Sequence, residues 1–159
     1  MTRLVLSREI YCPVDEVFEY HTDLLRAPQH WTNVVSCVRA DGGGGAPTAG
    51  ARYAWRYRMY GVEFSGTAQV REVVPGRRFA FDASGGLIGS VACEYTPVGA
   101  HRTRIDVVVE YEAPMGKVGR AVDRFLVEGR NTADAGRALD RLAARLEAEA
   151  AARLDMQPA

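Results

Sequence analysis

The residues best equipped for chemistry begin with an alternating run, ARYAWRYRMY at 51–60. In an extended strand Tyr53, Trp55, Tyr57 and Met59 share one face, and Arg52, Arg56 and Arg58 share the other. A buried phenol O–H or indole N–H needs a partner, so this aromatic face suits a ligand cavity as well as it suits ordinary core. Phenols inside a cavity can donate to a polar atom of a bound molecule, which singles out Tyr57, and Tyr95 from another strand, as candidate donors. Arg8 shares strand phase with Leu4, Leu6 and Ile10 and is expected to face inward, where a guanidinium needs a partner or a polar ligand. Snorkelling at a sheet edge is the alternative for Arg8. His30, next to Trp31 after the proline break in RAPQHW, can act as acid or base near neutral pH, or be an ordinary surface histidine.

These residues need elements to position them. Residues 2–11 read as a first strand, and Pro13 followed by VDEVFEYHTDLL reads as a short helix with Val14, Val17, Phe18 and His21 at helical spacing. TNVVSCVRA is a further strand, stopped by the loop DGGGGAPTAG. Strands over 51–60, 62–74, 77–84, 87–97 and 102–112 then follow in quick succession, with turn residues between them, as in an antiparallel meander. Phe64, Phe79, Phe81, Cys93, Tyr95, Ile105, Val107, Val109 and Tyr111 can extend the aromatic wall from neighbouring strands. From about Met115 to about Ala151 the period is helical, with Phe125, Gly129, Thr132, Ala133, Gly136 and Ala143 on one side and Leu139, Leu142 and Leu146 widening it. Gly129 and Gly136 share that face although glycine in a helix interior costs about 1 kcal/mol relative to alanine, so either close packing or open space is wanted there.

Composition limits the function classes. The chain has 159 residues, which reads as a single domain over 1–151 with a frayed tail at 152–159. Its 20 basic and 20 acidic residues cancel, so no overall field recruits nucleic acid or an anionic membrane. No run approaches the roughly 20 apolar residues of a membrane span. The three cysteines, Cys12, Cys37 and Cys93, are too widely spaced for a disulfide framework or a zinc site and point to a reducing cytoplasm. His21 on a helix face and His101 in a hairpin turn form no metal constellation with His30. The glycine run is a turn and not a phosphate cradle, since no P-loop Lys-Ser/Thr pair follows it. High Ala, Arg and Gly usage fits a high-GC bacterium.

Strand, short helix or helix pair, antiparallel strands and one long helix give an α+β fold in which a curved sheet of about seven strands needs a helix as its cover. Over SREIYCPVDEVFEY, FSGTAQVREVVPGRRFAF and YEAPMGKVGRAVDRFLVEG the chain resembles the START/Bet v 1-like superfamily, in its polyketide cyclase/dehydrase-like branch. The resemblance implies a helix-grip fold, with the sheet wrapped around the C-terminal helix and a deep cavity between them for apolar or amphipathic small molecules. It also implies two functions: a polyketide cyclase/aromatase of secondary metabolism, closing a poly-ketone by aldol chemistry and loss of water without cofactor or metal, or a non-catalytic carrier of a lipid, quinone or other apolar metabolite. On the first, Tyr57, Tyr95, Arg8 and His30 are the catalytic candidates. An acyl carrier protein is the candidate for delivering the substrate, to a monomer or a homodimer. Tyr53, Trp55, Met59, Trp31, Phe64, Phe79, Phe81, Cys93, Val107, Val109, Tyr111, Phe125, Gly129, Thr132, Ala133 and Gly136 are the expected wall.

Overall fold

The computed structural model describes residues 2–59, 61–86, 88–112 and 124–156, and the side chains of these except Met59 and residues 124–131. In chain order the elements are β1 (Thr2–Ile10), α1 (Val14–Thr22), a 3-10 turn (Leu24–Arg26), α2 (Ala27–His30), β2 (Val34–Arg39), β3 (Arg52–Met59), β4 (Val62–Val74), β5 (Arg78–Gly85), β6 (Ile88–Gly99), β7 (Arg102–Glu112) and α3 (Arg124–Met156). The strands make one seven-stranded antiparallel sheet in the order β1-β7-β6-β5-β4-β3-β2. The first two strands of the chain are therefore its two edges, and the α1–turn–α2 segment runs from one to the other.

Turn chemistry sets the hairpins. Between β4 and β5, Pro75 and Gly76 occupy the two central turn positions, with Gly76 at φ 71° and Arg77 N–H donating to Val74 O at 2.9 Å. Proline at the first central position and a positive-φ glycine at the second are what a type II turn demands. A bulge between Val70 and Glu72 on β4 leaves Arg71 without a register partner and adds twist, one source of the sheet's curvature.

The expected strand phase holds in β3: Tyr53 is buried and Trp55 and Tyr57 are half-buried, while Arg52, Arg56 and Arg58 are exposed. The outer arginines meet acids across strands, Arg56 donating to Glu63 at 2.6 Å and Arg71 to Asp82 at 2.7 Å. Such exposed pairs contribute at most about 1 kcal/mol each.

The concave face of the sheet grips α3. Ile10, Val17, Tyr53, Val70, Phe79, Ile105, Leu142 and Leu146 belong to one buried cluster joining sheet, α1 and helix. Burying each of these side chains contributes about 1.5–3 kcal/mol. On α3 the buried stripe is Ala135, Ala138, Leu139, Leu142, Ala143 and Leu146, the i, i+3, i+4, i+7 pattern of an amphipathic helix. α3 continues to Met156, beyond the expected end near Ala151, because Ala152, Arg153, Leu154 and Met156 are strong helix formers and the first proline after them is Pro158. They extend clear of the core, Leu154 being 60% and Met156 83% exposed. The expected helix start near Met115 lies outside the described residues.

Candidate functional site

Packing between the sheet and α3 is incomplete, and a cavity of about 240 Å³ remains. Its wall is mostly apolar: Leu4 and Leu6 from β1, Phe79 and Phe81 from β5, Val107 and Val109 from β7, and Ala135, Ala138 and Leu139 from α3. His21, His30, Tyr57, Ser90 and Tyr111 are polar residues among those lining it, with Arg56 and Glu110 as the charged ones. Gly89 belongs to the same wall, and a Cβ there would come within 2.3 Å of Glu110 O, so the approach of β6 to β7 at this point requires glycine.

Of the wall expected from sequence, the structure gathers Trp31, Trp55, Tyr57, His30, Phe79, Phe81, Val107, Val109 and Tyr111 around one cavity. Tyr53 and Cys93 sit in the packed cluster beyond it, because β3 and β6 each run from core to cavity along their length. Phe64 is half-buried under the β4–β5 hairpin beside Gly86. Thr132 and Ala133 are exposed, since the buried stripe of α3 runs through Ala135 and Ala138 instead. A Cβ on Gly136 would meet nothing within 4 Å, which favours open space over close packing at that glycine. The side chains of Met59 and Phe125, and Gly129, lie outside the residues whose side chains are described.

Arg8 keeps the inward phase expected of it but does not reach the cavity. Its guanidinium stops at the edge of the sheet and pairs with Asp140 of α3, with the Arg8 side chain 40% exposed. An edge strand gives a long side chain this exit, and the partner satisfies the charge.

Tyr95 is buried behind the wall, and what it touches is informative. Its hydroxyl lies 2.6 Å from His21 Nδ1, and the His21 ring, which lines the cavity, is 5.9 Å from that of His30, centre to centre. Local structure brings the two histidines together. α1 starts after Pro13 with Asp15 and Glu16 in its first turn, favourable at the positive end of the helix dipole. Asp23 then accepts from Leu25 N–H at 3.2 Å and turns the chain into α2. The Tyr20 hydroxyl donates to Gln29 Oε1 at 2.6 Å and ties α1 to α2.

Burial governs the protonation of this cluster. Desolvation first, and the neighbouring His30 second, lower the His21 pKa to about 3. His21 retains some accessibility through the cavity it borders, while its ring is packed between Tyr95 and His30. His30 is lowered to about 4, by burial and then by the positive charge of Arg145. Burial also raises the Tyr95 phenol well above its usual value. Tyr95 therefore keeps its proton and His21 stays neutral; the 2.6 Å contact is made by the phenol donating to Nδ1 or by Nδ1–H donating to the phenol oxygen, according to the tautomer. A neutral imidazole N–H in such a setting is an electrophile able to polarise a carbonyl.

Elsewhere on the wall, Tyr57 is held by Asn33, whose Nδ2 donates to the Tyr57 hydroxyl at 3.3 Å and to Asp134 Oδ2 of α3 at 2.7 Å. Burial raises the Tyr57 pKa against the lowering effect of the Asn33 and Trp31 N–H groups. The Trp31 indole N–H is close enough to act on that hydroxyl, and its buried Nε1 has no full hydrogen bond to it or to any other group among the described residues. His21, Asn33 and Asp134 were not among the expected site residues. His21 was visible as a histidine one turn from Val17 and Phe18, but its meeting with His30 depends on the α1–α2 reversal.

Among the described residues no group of three His, Cys, Asp or Glu side chains could hold a metal ion, and no helix is long and apolar enough to cross a membrane. A curved antiparallel sheet gripping a long helix, with an apolar cavity between them, defines a helix-grip domain of the START-like class. The chain belongs to the polyketide cyclase / dehydrase and lipid transport family, whose model matches residues 1–147. Solved structures agree in fold. TTHA0849 from Thermus thermophilus is 20% identical with a TM-score of 0.77, covering 93% of this chain and 99% of its own. The Zhui aromatase/cyclase from Streptomyces sp. R1128 is 13% identical with a TM-score of 0.72, covering 96% of this chain and 95% of its own. A START superfamily protein from Mycobacterium smegmatis is 16% identical with a TM-score of 0.66, covering 93% of this chain and 96% of its own. No curated protein matches the sequence.

Proposed function

We propose that the protein binds an apolar, ketone-bearing molecule of polyketide type in this cavity and promotes its intramolecular cyclisation and dehydration. The observation that carries the reading is the Tyr95–His21 pair beside His30 on an otherwise apolar wall. Family membership supports the substrate class. In the aldol step an enol carbon bonds to a ketone carbon, the ketone oxygen takes up a proton, and water leaves afterwards. Orientation and exclusion of bulk water supply much of the acceleration. In the tautomer that carries its proton on Nε2, with Tyr95 donating to Nδ1, His21 polarises the ketone that is attacked; His30 relays the proton released by the enol, and Tyr57 donates to a second oxygen of the chain. An acyl carrier protein is the proposed donor of the substrate, in a reducing cytoplasm that suits three free thiols.

A carrier for a lipid, quinone or similar metabolite needs only the apolar wall, and two experiments separate it from a cyclase. The first is native mass spectrometry of protein purified from its own host, followed by identification of the released molecule. A partly cyclised ketide supports the cyclase, and a quinone or acyl lipid supports the carrier. The second is turnover of a synthetic poly-ketone. His21→Ala and Tyr57→Phe should each lower turnover tenfold or more while binding persists, and unchanged turnover in both would remove these groups from the mechanism.

A further inference from the structure

The register of the sheet aligns small residues on its inner face. Tyr53 pairs with Ala68, Ala68 with Ala83, Ala83 with Gly89 and Gly89 with Tyr111, so one line across β3 to β7 reads Tyr-Ala-Ala-Gly-Tyr. Three adjacent strands therefore present nothing beyond a Cβ where the strands on either side present rings. The next row toward the packed core is larger throughout, with Val70, Phe81, Val91 and Val109 in register.

Space is left above the small row. Ala68, Ala83 and Gly89 all line the cavity, with Tyr111 at the β7 end. β5 is the central strand, yet Ala83 on its inner face is only half-buried, whereas Phe79 on the same face of the same strand is 1% exposed. Interdigitation would match small residues on one layer with large ones on the other. Instead α3 brings Ala135 and Ala138 to the same cavity, so volume is missing from both layers. The trough has walls along its length. On the core side stand Phe81, Val91 and Val109. On the other stands Trp55, whose register partner is Gly66 and whose ring lies against it, since a Cβ on Gly66 would come within 2.5 Å of Trp55 Cζ2.

We propose that the ligand lies across the strands in this trough as an elongated system of two or three fused rings, and that Ala68 and Ala83 are the residues that set the length it can have. Neighbouring strands are about 4.8 Å apart, so the floor from Ala68 to Gly89 spans about 10 Å. Rings laid along it cover methyl groups and peptide planes that otherwise face unfilled space, which restores the dispersion contacts the empty cavity forgoes. A side chain grown from position 83 would stand in the middle of the floor and divide it. This placement deepens the functional reading above, rests on the cavity being the ligand site, and is independent of whether the bound molecule is turned over.

Two substitutions that suit a strand, Ala83→Ile and Ala68→Val, test the placement. The probes at pH 7 are acridone, with three fused rings, followed by its fluorescence, and acetophenone, with one ring, followed by NMR titration. Ala83→Ile should weaken acridone binding by about tenfold or more, because the added carbons overpack the occupied trough, and should leave acetophenone nearly unchanged. The same variant should raise the thermal midpoint of the ligand-free protein by about 2–4 °C, as filling an open space does. Ala68→Val should act in the same directions and more weakly. Acridone affinity unchanged in both variants, equal losses for the two probes, or acetophenone binding without acridone binding would overturn this placement and leave the cavity as the site. Lowered midpoints in both variants would show the space over the row to be closed, and would overturn it as well. Failure of both probes to bind the unmodified protein would overturn the placement together with the reading of the cavity as a ligand site.

Discussion

Acidification from pH 7 to pH 5 should unfold this protein far more readily than its net charge of zero suggests. The reason is the histidine pair. In the unfolded chain each imidazole titrates near 6.5, whereas burial lowers His21 to about 3 and His30 to about 4. Between those values the unfolded state holds protons that the folded state refuses, so stability falls as pH falls. The stabilising contribution is fully present above about pH 6.5, is lost progressively below it, and levels off near the folded values. From pH 7 to pH 5 each histidine contributes a loss of about 2 kcal/mol, or about 4 kcal/mol for the pair. That is a large fraction of the about 5–15 kcal/mol that holds a typical domain together. Glu63, whose pKa is lowered by its hydrogen bond to Arg56, starts from 4.5 and contributes only below this window. Urea unfolding followed by the emission of Trp31 and Trp55 at pH 7, 6 and 5 is the assay. The midpoint should drop by about 2 M across the series if the slope is about 2 kcal/mol per molar. His30→Gln should halve the drop. A midpoint that holds between pH 7 and pH 5 would show that the imidazoles titrate normally and would refute the argument for a neutral His21 donor.

Three other outcomes are expected. Tyr95→Phe keeps the buried ring but leaves His21 Nδ1 without its hydroxyl partner, which should cost about 1–3 kcal/mol in the same denaturation assay. Leu142→Ala removes a fully buried side chain where α3 meets the sheet, and should cost about 2–5 kcal/mol, read as a lowered thermal midpoint. Arg8→Ala breaks a half-exposed ion pair with Asp140 and should cost at most about 1 kcal/mol while leaving ligand affinity unchanged; a loss of affinity would return Arg8 to the site.

The sheet was legible in the sequence because its period is two and its turns are marked by Gly and Pro. Tyr53, Trp55 and Tyr57 could be assigned to the inner face from alternation alone, and Pro75-Gly76 marked a hairpin without any tertiary information. What alternation could not say is how far along a strand the core ends and the cavity begins, which is why Tyr53 and Tyr57 share a face but not an environment. The helix was less legible. A wheel assigns a face, but Thr132 and Ala133 are exposed because only the stripe from Ala135 onward meets the sheet. Long-range polar pairing was not legible at all. Arg8 meets Asp140, Asn33 meets Asp134, and Tyr95 meets His21 across separations of 132, 101 and 74 residues, and no local pattern encodes such pairings.

The same features that point to function also weaken the empty fold, and that coincidence is itself an argument. A core selected only for stability would replace His21 and His30 with apolar residues of similar volume, since neutral imidazoles in an apolar wall gain little and become a liability below pH 6.5. It would also place phenylalanine at 31 and 55, where the indole N–H groups have no partners in the protein. Instead the costs cluster: the histidine pair, the tryptophans whose Nε1 atoms are buried unpaired and the unfilled volume all belong to one cavity, while Ile10, Val70, Ile105 and Leu146 pack the core beyond it. Polar frustration confined to one region is what a site held ready for a ligand produces. A ligand that fills the cavity binds the folded chain and not the unfolded one, so occupancy and stability should rise together.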